Sequence, residues 1–259
     1  MRKTNSILTL TTDFATDLYV GQMKGVIVSI NPEVKIIDLT HRIEGYSILG
    51  AAFFISQVCS TFPPGTVHVA VIDPGVGSER RGIIIFTEKY YYIGPDNGIF
   101  HFIEEKEKIE KIIEIDMNLF KKASFTFHGR DIFAPIGAYL SKGRRMEEFG
   151  QEIDKETINK LSIPKNCILY IDEFGNIITN VKKKFSPGEE LIVKHGAKKV
   201  KAIFAKTFSD VRENEYVVLQ GSSGYLEVDK NKSSAADDFR AKVGDKISIS
   251  RISKSLPHF

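Results

Sequence analysis

The run T-V-H-V-A-V-I-D, residues 66 to 73, constrains the fold more than any other stretch of this chain. It is almost continuously apolar and β-branched, so it reads as a strand covered on both faces, as in the interior of a parallel sheet. Asp73 stands at its carboxyl end. In open α/β sheets ligands bind outside the carboxyl ends of the strands, which makes a carboxylate there a functional candidate; turn formation and helix capping are the competing explanations.

The surrounding sequence fits such a sheet. I-L-T-L-T-T (7 to 12) reads as a first strand, Q-M-K-G-V-I-V-S-I (22 to 30) as a helix ended by Asn31-Pro32, and V-K-I-I-D-L-T (34 to 40) as a second strand. S-I-L-G-A-A-F-F-I-S-Q-V-C-S-T-F (47 to 62) reads as an apolar-faced helix stopped by Pro63-Pro64-Gly65. R-G-I-I-I-F-T-E (81 to 88) and Y-Y-Y-I-G (90 to 94) read as a strand pair, P-D-N-G (95 to 98) as a turn, and 130 to 141 as a further helix. The expectation is an α/β N-terminal domain, residues 1–162, with a mainly parallel central sheet flanked by helices.

From Pro164 the texture changes. C-I-L-Y-I-D, I-I-T-N-V, E-L-I-V-K, V-K-A-I-F-A-K-T-F, Y-V-V-L-Q, G-Y-L-E-V and K-I-S-I-S are short strands separated by turns, with no helix-length spacing. They predict a smaller all-β, barrel-like C-terminal domain over residues 163–259. K-K-K at 182 to 184 reads as a solvated strand end.

Bulk properties exclude several functions. With 36 basic and 33 acidic residues the net charge is only +3, so there is no global electrostatic case for nucleic acid as a partner. Cys59 and Cys167 have neither disulfide-framework nor zinc spacing and read as reduced buried thiols. The apolar stretch near the N-terminus is too short for a signal-peptide core or a membrane span, which predicts a cytoplasmic protein without a membrane partner.

Local chemistry narrows the field. Asp13, Asp38 and Asp73 all fall in or just after predicted strands. P-G-V-G (74 to 77) turns the chain sharply but matches neither a P-loop nor a dinucleotide fingerprint. F-T-F-H-G-R-D-I-F-A-P (125 to 135) puts His128 among aromatics and before a glycine, a tight and partly desolvated setting. The His and carboxylate spacing that a metal site needs is missing, as is a G-x-S-x-G elbow. What remains is activation of a small nucleophile by charge and hydrogen bonds, without metal, cofactor or covalent intermediate.

The motifs T-T-D-F, Y-V-G-Q-M-K-G, D-L-T-H, D-P-G-V-G-S-E-R-R, P-D-N-G, F-H-G-R-D-I-F-A-P, D-E-F-G-N-I-I-T-N and G-S-S-G-Y-L-E-V run in this order through nearly the whole chain. Together they resemble the S-adenosyl-L-methionine hydrolases (adenosine-forming), also called SAM hydroxide adenosyltransferases, which are relatives of fluorinase and chlorinase. The resemblance implies a homotrimer with sites at subunit interfaces, S-adenosyl-L-methionine as substrate, and attack of water or hydroxide on the ribose 5′ carbon to give adenosine and methionine. By motif position the catalytic residues are Asp73, Arg80 and His128, with Arg80 rather than Arg81 as the functional arginine. Asp13 matches the carboxylate for the ribose hydroxyls, Asp172 the acid for the methionine amino group, and Asn176 the residue that reads adenine. Ser222 and Ser223 lie where the methionine carboxylate is held, and Tyr46 and Phe127 at aromatic pocket positions.

Two departures from the family pattern are a first loop, D-F-A-T-D-L-Y, one residue shorter than the common form, and Asp229 where many relatives carry a small residue. The halogenases that resemble this family carry tyrosine where Asp73 stands, threonine where Val76 stands, and tyrosine followed by serine or glycine in place of His128-Gly129. A non-catalytic binding protein would need Asp13, Asp172 and Asn176 but not Asp73, Arg80 and His128. The three residues therefore favour hydrolysis over both alternatives.

Overall fold

The computed structural model describes residues 4–15 and 17–252, which divide into two compact units, 1–161 and 162–259. The first unit contains β1 (Ile7–Thr12), α1 (Asp17–Ile30), β2 (Lys35–Thr40), α2 (Ile48–Val58), β3 (Val67–Val71), β4 (Gly82–Thr87), β5 (Tyr91–Pro95), α3 (Ile103–Lys106), β6 (Ile109–Ile115), α4 (Ala134–Ser141) and β7 (Gly150–Glu152).

These strands form one sheet in the order β2-β1-β3-β5-β4-β6-β7. The pairs β1–β2, β1–β3 and β3–β5 are parallel, whereas β4–β5, β4–β6 and β6–β7 are antiparallel. The sheet is therefore mixed, which corrects the mainly parallel sheet expected from sequence. The physical reason is that β5 returns directly alongside β4 through the short Glu88–Tyr90 turn, so no helix intervenes to make the pair parallel. β6 and β7 then extend the antiparallel half.

Alternation along β3 explains its apolar run. Val67, Val69 and Val71 join Leu8, Met23, Ile27, Phe133 and Ile136 on one face, while Ala70, followed by Ile72, packs with Ala51, Ile55, Tyr90 and Tyr92 on the other. Helices α1 and α4 thus cover one face and α2 the other. Both cysteines are free and buried, and burial pushes the Cys59 thiol well above its ordinary pKa, so it behaves as an inert small apolar group.

The second unit contains β8 (Ile168–Ile171), β9 (Ile177–Thr179), β10 (Glu190–His195), β11 (Lys198–Phe204), β12 (Tyr216–Gln220), β13 (Leu226–Lys230), α5 (Ala235–Phe239) and β14 (Ile247–Arg251). Its sheet has the order β14-β10-β11-β12-β13-β9-β8 and curls until its two edges touch at a Cys167–Lys246 bridge. The unit is β-rich rather than all-β, because Ser234 caps a short helix by accepting from the Asp237 amide. All seven short strands read from the sequence are present.

One buried group in this unit has a measurable consequence. Asp229 is fully buried on β13, and neither carboxylate oxygen has a hydrogen-bond partner among the described residues. Burial, and then Glu227 and Asp172 nearby, push its carboxyl up to about 8. A raised folded-state value means that the stabilisation is complete below the unfolded value, about 4, and is lost as pH rises through about 8. Between pH 5 and 7, denaturant titrations should show wild type losing about 3 kcal/mol relative to Asp229→Asn, which cannot ionise. Parallel pH profiles for the two proteins would show that Asp229 titrates as an exposed acid does.

Candidate active site

The site in the first unit forms where three segments leave the sheet. The first is the segment after β1, which carries Asp13 and Phe14. Asp13 Oδ2 accepts from the backbone N–H of Tyr46 at 3.1 Å, which draws in the loop before α2. Tyr46 is 74% exposed and has a left-handed backbone (φ 65°), a conformation that a non-glycine residue holds only where its surroundings fix it.

The second segment is residues 72–81, between β3 and β4. It turns through backbone bonds from Val76 N to Asp73 O and from Ser78 N to Gly75 O. Gly77 has φ 78°, and a Cβ there would sit 2.4 Å from the Phe125 carbonyl oxygen, so only glycine lets this loop lie against the third segment. The turn brings Arg80 back over Asp73. Arg80 Nε donates to Asp73 Oδ1 at 2.8 Å and Nη2 donates to Oδ2, a two-point pairing of fork and carboxylate. The side chains are 10% and 5% exposed, so this pair is largely desolvated.

The third segment delivers His128. It ends in a single turn of π-helix over Gly129–Phe133 that continues into α4, and wide turns of this kind recur at functional sites. Asp131 holds the approach: its carboxylate accepts from Ser124 N at 2.8 Å and from the guanidinium of Arg130, which also bonds Gln22 at 2.8 Å. Arg130 in turn lies 4.9 Å from the centre of the Phe127 ring, which packs edge-on against Phe14 and Tyr19.

Arg80 Nη2 also lies 2.7 Å from His128 Nδ1. A guanidinium can only donate, so Nδ1 is the acceptor and the neutral ring carries its proton on Nε2. Burial, and then the positive charge of Arg80, hold the His128 pKa below its ordinary value, which keeps the ring neutral at pH 7. Arg80 Nη1 is buried and has no hydrogen-bond partner among the described residues. Unlike Asp73 and His128, Arg80 is not among the residues that line the cavity beside them.

Asp13, Tyr46, Asp73, Phe127 and His128 line one cavity of about 290 Å3, together with Phe14, Gly45, Val71, Val76, Thr126 and Gly129. Asp38, the remaining strand acid, does not line it and pairs instead with Lys24 and His41. Asp172, Asn176, Ser222 and Ser223 belong to the second unit. There Asp172 Oδ1 accepts from the amides of Phe174 and Asn176, and Oδ2 from Asn176 Nδ2, each at 2.9 Å. Because a carboxylate only accepts, the Asn176 amide is oriented with its NH2 on Asp172 and its oxygen free to accept. Ser222 and Ser223 occupy the turn after β12, where Gly224 N closes onto Gly221 O at 2.9 Å.

Residues 8–150 match the model of the SAM hydroxide adenosyltransferase N-terminal domain, and residues 166–248 that of the corresponding C-terminal domain. The chain belongs to the SAM hydroxide adenosyltransferase family. It is 40% identical to the (R)-S-adenosyl-L-methionine hydrolase of Methanocaldococcus jannaschii, over 94% of this chain and 95% of that one. Identity to the hydrolase of the same name from Thermus thermophilus is 33%, over 88% and 92% of the two chains. The fluorinase of Actinopolyspora mzabensis is 24% identical over 91% of this chain and 94% of its own. Among solved structures, an uncharacterized conserved protein from Thermotoga maritima superposes with a TM-score of 0.86 at 35% identity, covering 94% of this chain and 99% of that one.

Sequence reasoning did not single out Asp131, which anchors the His128 segment, or Phe14, Val71 and Thr126 in the cavity lining. Asp131 sits inside the quoted F-H-G-R-D motif, so its signal was adjacency to His128. Phe14 and Val71 carry no chemical signal of their own, because they contribute shape and dryness.

Proposed function

We propose that this protein hydrolyses S-adenosyl-L-methionine to adenosine and L-methionine, with Asp73, Arg80 and His128 activating the water that attacks the ribose 5′ carbon. The observation that carries the reading is that Arg80 bridges Asp73 and the Nδ1 of His128, two residues that line the same cavity. A guanidinium fixed beside both groups supplies positive charge that favours the anionic form of a water held between Asp73 and His128 in that cavity.

In this reading the water gives its proton to Asp73, whose oxygens keep lone pairs beyond those used by Arg80. Neutral His128, its Nδ1 occupied by Arg80, presents Nε2–H and fixes the direction of the nucleophile. The new bond joins the water oxygen to C5′, the C5′–S bond breaks, and its electron pair returns to sulfur. Sulfonium charge and hydroxide charge cancel, a step that a dry, aromatic-lined cavity favours over bulk water.

Asp13 takes the ribose hydroxyls and Tyr46 and Phe127 the flat or cationic parts of the substrate. Asp172 would pair with the methionine ammonium, the free Asn176 oxygen would accept from adenine, and Ser222 and Ser223 would hold the methionine carboxylate. The second domain thus serves substrate binding, and the first carries the catalytic residues together with Asp13, Tyr46 and Phe127. A homotrimer with interfacial sites fits the large apolar side chains left exposed near these groups: Tyr46, Phe125 at 82% and Phe174 at 70%.

Incubation with S-adenosyl-L-methionine in the presence of excess chloride or fluoride distinguishes the chemistry. Adenosine as the nucleoside product at every halide concentration supports hydrolysis, whereas 5′-halogenated nucleoside, or tight binding without product, would replace it with one of the alternatives.

A further inference from the structure

The turn after β5 fastens both feet of the loop that carries Asp73 and Arg80. β5 lies between β3 and β4, so the 72–81 connection crosses the carboxyl end of β5, where Asp96 and Asn97 stand. At the first foot, Asn97 Nδ2 donates to the carbonyl of Ile72 at 2.9 Å, fixing the peptide plane that leads into Asp73. At the second foot, Asp96 N donates to the Arg81 carbonyl at 2.9 Å. The Asp96 carboxylate, 1% exposed, takes Arg81 Nε at 3.0 Å and Nη2 at 2.6 Å. Arg81 Nη2 continues to the Thr157 carbonyl at 2.6 Å, and Asp96 accepts from Asn159 N at 2.8 Å.

We infer that Asn97 and the Asp96–Arg81 pair are positioning residues for the reaction, holding the 72–81 loop so that Arg80 spans Asp73 and His128. The inference rests on the proposed hydrolysis. It gives the two neighbouring arginines separate tasks: Arg80 ties Asp73 to His128, and Arg81 anchors the loop from its other side. None of the anchoring residues lines the cavity, so their effect is on the alignment of the three groups and not on contact with substrate.

Asn97→Asp tests this by setting a carboxylate oxygen against the Ile72 carbonyl, which releases the first foot. The substitution keeps an oxygen for the Ile99 amide, which Asn97 Oδ1 accepts at 3.2 Å, but removes the donor to Ile72. It should lower kcat by about 10- to 100-fold while KM stays within about threefold, because misplacement of reacting groups by an ångström costs on that order. The His128 ring, followed by NMR titration, should titrate closer to its ordinary pKa as Arg80 loses its fixed place beside it. Asn97→Ser, which also keeps a turn acceptor, serves if the first variant does not fold, and should behave alike.

A folded variant with kcat within about twofold of wild type and an unmoved His128 titration overturns the inference, as does a loss confined to KM. If wild type forms no adenosine yet the variant still shifts the His128 titration, the anchoring stands and the hydrolysis reading falls.

Discussion

Arg80→Ala should lower kcat/KM for S-adenosyl-L-methionine by about 10³-fold, the scale on which one preorganised donor to a developing charge acts. Three separate connections are lost together. Arg80 Nε no longer donates to Asp73 Oδ1, Nη2 no longer donates to Asp73 Oδ2, and Nη2 no longer donates to His128 Nδ1. Because Asp73 is 5% exposed, removing its partner also leaves a buried charge uncompensated, at a cost of about 3 kcal/mol in stability. Arg80→Lys separates the effects. A single ammonium keeps the charge but cannot reproduce the fork to Asp73 and the bond to His128, so it should fold near wild-type stability and still lose about 10²-fold in kcat. Steady-state kinetics with thermal unfolding checks both variants; a lysine variant as active as wild type would mean that charge alone, without the fork, suffices.

Asp73→Asn should lower kcat by about 10²- to 10⁴-fold, the range for loss of a general base, with KM little changed. The amide has nearly the shape of the carboxylate, so the loop remains in place. It cannot accept the proton of the attacking water, and its NH2 opposes a donor of Arg80 instead of accepting from it. Adenosine affinity, measured by calorimetry, should stay close to wild type because Asp13, Tyr46 and Phe127 are untouched. A rise in KM at constant kcat would make Asp73 a substrate-binding residue.

Much of the site was legible because its parts sit at places where sequence marks structure. The apolar run ending at Asp73 announced a buried strand and its carboxyl end, and P-G-V-G announced the reversal that returns Arg80. The choice between Arg80 and Arg81 came from resemblance; the geometry shows one reaching Asp73 and His128 and the other reaching Asp96. The β4–β5 pair was legible as two strands joined by a short turn, but the β6 and β7 that extend the antiparallel half were not. β6, I-E-K-I-I-E-I, interleaves charge with isoleucine in a pattern that is neither alternating nor continuous, because its outer residues meet charged neighbours such as Glu147 through Lys111. β7, G-Q-E, has no apolar residue and exists only through its pairing with β6. The burial of Asp229 was equally hidden, since an Asp followed by Lys and Asn carries no burial signal, while β13 takes it into the sheet.

Water is the nucleophile at the ribose 5′ carbon in the proposed hydrolysis. Incubating the purified protein with S-adenosyl-L-methionine in oxygen-18 water, and analysing the nucleoside by mass spectrometry, tests it in one step. Hydrolysis gives adenosine carrying the label in its 5′ hydroxyl and unlabelled methionine; unlabelled adenosine, or methylthioadenosine as the only nucleoside product, would contradict it.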